Sequence, residues 1–365
     1  MLKKSQATIT DVAKAAGVAV GTVSRVLNNH TDVNAGIRAR VWEAARTLSY
    51  SRIRQRSTRR EESVEDPRSE ALAAVFFGME DTLVQLPVVS TALQGIDGAI
   101  ASKGRSLMLA NIPKGDRVPP FLLGNHVAGL IIKGPNQGEL PPVSENGLLQ
   151  HIFRFPHVWL MGRPANATGD HCNFDTEAAG RIATEHLVAK GHRRLAFLNP
   201  KPGQIQFEKL RQSFLQHCRR LGATSLVLEP PPPENLSWPL PAITQENTVR
   251  TLLERWQATP AELRPTALFV PSDRAAVQVY SVMSQLNLHV GTDLSLISCN
   301  NERSLLMNLH PTVTTVDVHA EAVGRHAVDQ LLWRIANPQE SRPVQVLIEP
   351  TLVEGESVAT LAAHA

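Results

Sequence analysis

The sequence holds only three cysteines in 365 residues, Cys172, Cys218 and Cys299. They are an odd number with no CxxC spacing, which excludes a disulfide frame and fits a reducing compartment. No apolar run approaches the roughly 18 residues that a membrane span needs. Lys3 and Lys4 are followed by no apolar stretch, so a secretory signal is not expected either. The sequons at Asn166 and Asn235 then read as chance matches, and a soluble cytoplasmic protein with no membrane partner is expected. Catalytic signatures are also missing. There is no Walker P-loop, GxGxxG, HExxH or GxSxG, and the thirteen histidines form no metal spacing. The reading is of a non-enzyme, with no catalytic residues, no metal and no cofactor.

What the chain does have is enough apolar material for large cores, 42% hydrophobic against 19% charged. Its length predicts two or three folded units. Net charge is only +3, but it is unevenly placed. Residues 1–60 carry 12 Lys/Arg and 3 acids, a net of +9, and the other 305 residues a net of −6. A basic head on a mildly acidic body implies that one end meets a polyanion.

In the head, Ile9, Val12, Ala13 and Ala16 fall at helical spacing, with Thr10 placed to cap, Asp11 in the first turn and Gly17 as the stop. A second helix is expected over about Val20–Leu27, with Val23, Val26 and Leu27 inward, and a third over about Asn34–Leu48. Two short helices joined at Gly17 make a helix-turn-helix candidate. Gly21, Thr22, Ser24 and Arg25 remain on the outer face of the second helix. Short hydroxyls suit phosphates and base edges, and arginine suits guanine. A solvated face on a small bundle is the plainer alternative.

The run ITDVAKAAGVAVGTVSRVLNNHTDVNAGIRARVWEAARTLSY resembles the head of the LacI/GalR family of bacterial transcription regulators, with TVSRVLN its most specific part. The resemblance implies that Val20 and Gly21 select operator sequence, and that Thr10, Thr22, Ser24, Arg25, Asn28 and Tyr50 belong to the DNA-binding surface. Two departures stand out. Ala19 replaces the family's usual capping serine, and Gly21 has no side chain to read a base. After Tyr50 the family usually has Pro-Asn and then a short helix that inserts a leucine into the minor groove. Here SRIRQRSTRR follows, and Arg59 falls about where the leucine would stand. Arg52, Arg54, Arg56 and Arg59 then read as minor-groove and phosphate contacts in place of the wedge. A solvated linker, continuous with the acidic stretch Glu61–Glu70, is the alternative.

From Ala71 short apolar runs alternate with helical stretches, the pattern of parallel sheets with crossover helices. The fold class is therefore α/β with a helix-turn-helix head. The expected domains are 1–50 for the head, 51–70 for a basic hinge and linker, and 71–358 for effector binding and dimerisation. FDTEAAGRIATEHLVAKGHRRLAFLNP, ALFVPSDRAAVQVYSVMSQLNLHVGTDLSLISCNNE and PTVTTVDVHAEAVGRHAVDQLLWRI are similar to the family's body, which implies two periplasmic-binding-protein-like lobes around a ligand cleft. On that pattern one lobe takes about 71–189 and 317–341, the other about 190–316 and 342–358. Asn300 stands where the family usually has a ligand-holding aspartate. Asp273, Trp238, Arg211 and Asp175 are the other cleft candidates, each open to a plain structural role. His186 and His192 match scaffold positions.

The expectation is a regulator, a repressor, that binds a palindromic double-stranded operator as a homodimer and answers to a small effector, a sugar or sugar derivative. Without a heptad stretch after Val358, a tetramer through a coiled coil is not expected. A nucleobase or a partner protein could take the sugar's place. From another class, a sugar-uptake binding protein shares the two-lobed fold but has no use for a basic head.

Overall fold

The computed structural model describes residues 8–27, 33–48, 71–79, 87–124, 126–232 and 246–361. The chain divides into two compact units, residues 1–64 and 65–365.

The first unit contains α1 (Ile9–Ala16), α2 (Val20–Leu27) and α3 (Ala35–Thr47). Val12, Ala13, Ala16, Val23, Val26, Val41, Ala44 and Ala45 form its core. Gly17 takes the left-handed conformation that ends α1 (φ 64°, ψ 40°), and its N–H bonds back to Ala13 O and Lys14 O. Thr8, not Thr10, caps α1. Its hydroxyl accepts from Asp11 N at 3.3 Å, while the Asp11 carboxylate takes the Thr8 N–H at 2.8 Å. A threonine three residues before an acid closes this reciprocal box, and Thr10 is already inside the helix.

The second unit begins with β1 (Ala71–Phe77), α4 (Pro87–Ser102), β2 (Ser106–Ile112), α5 (Pro120–Leu123), β3 (Gly129–Lys133), α6 (Gly147–Ile152), β4 (His157–Leu160) and β5 (Asp170–Phe174). It continues through α7 (Thr176–Ala189), β6 (Arg194–Leu198), α8 (Ile205–Arg220), β7 (Thr224–Leu228), α9 (Glu246–Ala258), β8 (Ala267–Phe269), α10 (Asp273–Gln285), β9 (Ser295–Asn300) and α11 (Arg303–Leu306). Last come β10 (Thr314–Asp317), α12 (Ala320–Ala336), β11 (Gln345–Ile348) and β12 (Thr351–Val353). Two six-stranded sheets result, ordered β11-β5-β4-β3-β1-β2 and β12-β10-β9-β8-β6-β7. The first is wholly parallel, and only β12 in the second runs antiparallel to its neighbour. The short buried runs LAAVFF, GLIIK and RLAFL are what parallel strands covered on both faces require.

The lobe boundaries differ from the expected ones in two places. Segment 342–348, expected in the second lobe, supplies β11 to the first sheet, in parallel register with β5 from Gln345↔His171 to Ile348↔Phe174. Helix α7, expected in the first lobe, packs on α8 and the second sheet. Gly180 permits this, since a Cβ there would lie 2.6 Å from Ser213 Cβ. The chain therefore crosses between lobes near 175, 318 and 349.

Helix α12 returns to the first lobe and lies directly on α4. A Cβ at Gly95 would come within 2.0 Å of Glu321 O, and one at Gly324 within 1.9 Å of Ala92 O. Arg334 near its end forks onto the buried Asp170 carboxylate, which also accepts from Gln330 Nε2 and Val344 N. Burial alone would raise the Asp170 pKa, but these hydrogen bonds hold it below the usual value.

Candidate functional site

In the head, α2 starts without a side-chain cap. Ala19 O takes the amides of Thr22 and Val23, and the alanine offers no further acceptor. Val20 at its first turn is 41% exposed. Gly21 is exposed too, and a Cβ there would meet nothing within 4 Å, so packing does not demand glycine. Thr22 and Ser24 are half-buried, and Arg25 and Thr10 exposed. The structure thus gathers Val20, Gly21, Thr22, Ser24 and Arg25 on one short helix, while Thr10 sits on α1. Trp42 on α3 is a large exposed side chain that sequence reading passed over. Asn28, Tyr50, Arg52, Arg54, Arg56 and Arg59 lie outside the described residues, as does Trp238.

In the body, Asn300 ends β9 at φ +119° and is followed by Asn301 at φ +58°, two left-handed residues in succession. Such backbone is uncommon outside glycine and clusters at functional sites. The Asn300 amide donates to Glu302 Oε2 at 3.2 Å, and Asn301 Nδ2 donates to Asp317 Oδ2 at 2.8 Å. Both line an open crevice of about 1050 Å³, together with the start of α4, Glu302, Asp317 and His319. Across it, Glu302 Oε1 accepts the Val88 N–H at 2.8 Å, tying β9's end to α4. Burial raises the Glu302 pKa, against the lowering effect of the Val88 and Asn300 hydrogen bonds.

Three other cleft candidates turn out to be committed. Asp273 is fully buried, and its carboxylate accepts from Ser298 Oγ, Thr315 Oγ1 and Glu302 N. Burial pushes it up to about 7. It holds the carboxyl ends of β9 and β10 together and is not open to a ligand. Asp175 caps α7, accepting from the amides of Glu177 and Ala178. Arg211 is forked onto Glu208 one helical turn back. Asp273 and Asp175 are helix-end groups and Arg211 lies within α8, and the chemistry of each suits a cleft equally well in sequence. His192 is a scaffold residue, held between Thr266 Oγ1 and Ala359 O.

The feature that sequence reading missed is Lys133, the last residue of β3. It is 4% exposed, with Nζ donating to Gly134 O at 2.9 Å and Asn136 Oδ1 at 2.8 Å. Asn136 Nδ2 in turn donates to Met161 O and to Gln206 Oε1 on α8. Gln206 Nε2 donates back to Met161 O and Asn173 Oδ1. Beside them, Ile205 N reaches Asn136 O and Gln137 Nε2 reaches Pro202 O. Gly162 (φ +114°) makes room, since a Cβ there would strike Asn136 Oδ1 at 2.5 Å. Burial, with Lys201 adding to it, pushes the Lys133 pKa down to about 7. The sequence signal was a single lysine closing the apolar run GLII at a strand's carboxyl end, where open α/β sheets hold ligands.

Among the described residues no group of three or more His, Cys, Asp or Glu could hold a metal. No helix among them is long and apolar enough to cross a membrane.

Comparison with known proteins covers both units. Residues 8–52 match the family described as bacterial regulatory proteins, lacI family, and residues 184–358 match a periplasmic binding protein-like domain. The HTH-type transcriptional repressor PurR of Edwardsiella ictaluri (strain 93-146) is 27% identical over 362 residues, 97% of each chain. PurR of Yersinia pestis bv. Antiqua (strain Antiqua) is 28% identical over 360 residues, again 97% of each. Among solved structures, the transcriptional regulator CelR–cellobiose complex superposes with a TM-score of 0.62 at 22% identity, covering 96% of this chain and 99% of that one. The lac repressor dimer bound to operator and the anti-inducer ONPF gives 0.61 at 21% identity, covering 98% and 100%. With a matching head, a matching body and relatives aligned over nearly its whole length, the chain is similar to the lacI family of bacterial regulatory proteins in its head and to a periplasmic binding protein-like domain in its body.

Proposed function

We propose that the chain is a DNA-binding transcriptional repressor whose operator affinity is set by a small molecule held between the two lobes of its body. The observation that carries this reading is the short α2, with Val20, Gly21, Thr22 and Arg25 at its surface, in one chain with a two-lobed body whose strand ends meet in polar groups. A homodimer places two such helices on the half-sites of a palindromic operator, about one helical turn apart. Ligand that binds one lobe arrangement better than the other shifts operator affinity by the difference, typically ~1–3 kcal/mol.

A sugar or sugar derivative suits the amides of Asn300 and Asn301 at the crevice, since an amide both donates to and accepts from hydroxyls. The same amides also suit a nucleobase edge, which is the second reading. The CelR neighbour, whose complex holds cellobiose, fits the first reading, and the PurR repressors among the relatives fit the second.

Selection of binding sites from random double-stranded DNA tests the function. A two-fold symmetric consensus is expected, with affinity falling steeply in salt because Lys and Arg release phosphate counterions. Changing Arg54, Arg56 and Arg59 together to glutamine is expected to flatten that salt slope. Binding without sequence preference defeats the reading as a regulator, and an unchanged slope defeats the role of the arginine hinge.

A further inference from the structure

Lys133 is a buried cation without an anion. Its ammonium has three hydrogens and, among the described residues, two neutral acceptors, Gly134 O and Asn136 Oδ1. No carboxylate among those residues pairs with it, and the charge that acts on it is another cation, Lys201 of the second lobe. His171 on β5 also feels cations. Arg163 and Lys209 both act on His171, whose pKa burial and these cations press down to about 4. The one acid acting on His171 is Asp170, already committed to Arg334, Gln330 and Val344 N. This excess stands out on a body whose net charge is −6.

A buried charge is costly unless it is paired, and a chain can supply the pair from its own acids or take it from a ligand. Lys133 stands at the carboxyl end of a central parallel strand, facing the 201–206 loop of the other lobe, where ligands of such folds bind. Its neighbours Asn136, Gln206 and Asn173 are neutral amides, able to turn donor or acceptor toward a newcomer without leaving a stranded charge.

We infer that the small molecule between the lobes carries an acid group, a phosphate or a carboxylate, that pairs with the Lys133 ammonium and faces Lys201 across the junction. This rests on the reading that a ligand binds between the lobes. It narrows the effector class from neutral sugars and bases to sugar phosphates, sugar acids or nucleotides. The polyol or base portion meets amides, and the acid group meets Lys133.

The test is calorimetric titration and thermal shift of the full-length protein with matched neutral and charged compounds. Suitable sets are glucose, glucose 6-phosphate and glucuronate; ribose and ribose 5-phosphate; adenine and AMP; and inorganic phosphate alone. A charged member is expected to raise the melting temperature where its neutral partner does not. Lys133→Met is expected to weaken that compound at least tenfold, and Lys133→Arg to restore part of the loss. Lys201→Gln is expected to weaken the same compound by a smaller factor, and keeps the test available if the Met variant folds poorly. Neutral members binding as tightly as charged ones overturn the acid group and leave the interlobe ligand standing. A charged compound that binds the Lys133 and Lys201 variants unchanged overturns the assignment to these lysines. If no compound, neutral or charged, stabilises the protein, the interlobe-ligand reading fails and this inference falls with it.

Discussion

The side-chain amides of Asn136 and Gln206 meet across the junction of the two lobes, with Asn136 Nδ2 3.3 Å from Gln206 Oε1. The same glutamine donates to Met161 O at 2.8 Å and to Asn173 Oδ1 at 3.0 Å, so one second-lobe side chain serves three groups of the first. Gln206→Ala would leave Asn173 Oδ1 and part of Met161 O without a donor in a buried place. The expected loss is about 1–3 kcal/mol, read as a lower urea midpoint at unchanged m-value. A midpoint equal to that of the parent would mean that water replaces the amide and the junction is not held here.

The Thr8–Asp11 box makes a separate claim about the head. Removing the hydroxyl in Thr8→Ala takes away the acceptor for Asp11 N, which costs about 1 kcal/mol of helix stability. Amide hydrogen exchange in the first turn of α1 is expected to quicken severalfold, while exchange in the body stays as it was. Thr10→Ala is expected to leave α1 protection unchanged, because Thr10 lies within the helix.

Asp273 and Lys133 tilt the pH dependence of stability in opposite directions. The folded pKa of Asp273 is raised to about 7, so between its unfolded value near 4 and pH 7 the folded chain binds more protons. Stability therefore falls as pH rises through that window. The folded pKa of Lys133 is lowered to about 7 from 10.5, so from pH 7 upward the unfolded chain binds more protons and stability recovers. Together they place a dip near neutrality. Melting temperatures across pH 4–10 should show Asp273→Asn flattening the acid limb and Lys133→Met the alkaline limb. If both variants keep the parent's slopes, these two groups do not set the profile.

The fold was legible wherever apolar spacing carried the information. Helix α2 falls where the spacing puts it, because a helix that packs on one face must repeat every three to four residues. Strand β5 was not legible, since DHCNF has no apolar run, and its Asp170 and Asn173 are buried as partners of Arg334 and Gln206. Without β5 to mark where the first sheet ends, the expected crossing falls at 189 rather than 175, which puts α7 on the wrong lobe. Strand β11 is a short apolar run, but pairing is a long-range property, and nothing in QVLI names its neighbour. The site divides in the same way. Helix α2 is a local motif and was read directly. Asp273 looked available because sequence cannot show that Ser298 and Thr315 already surround it.

The contact of Gly95 with Glu321 and of Gly324 with Ala92 sets the mechanics of the body. Backbone against backbone leaves no compressible layer of side chains, so α4 and α12 behave as one strut. A ligand that turns the first lobe must swing this strut whole. The bending is then left to the three crossings near 175, 318 and 349, which act as the body's only springs among the described residues.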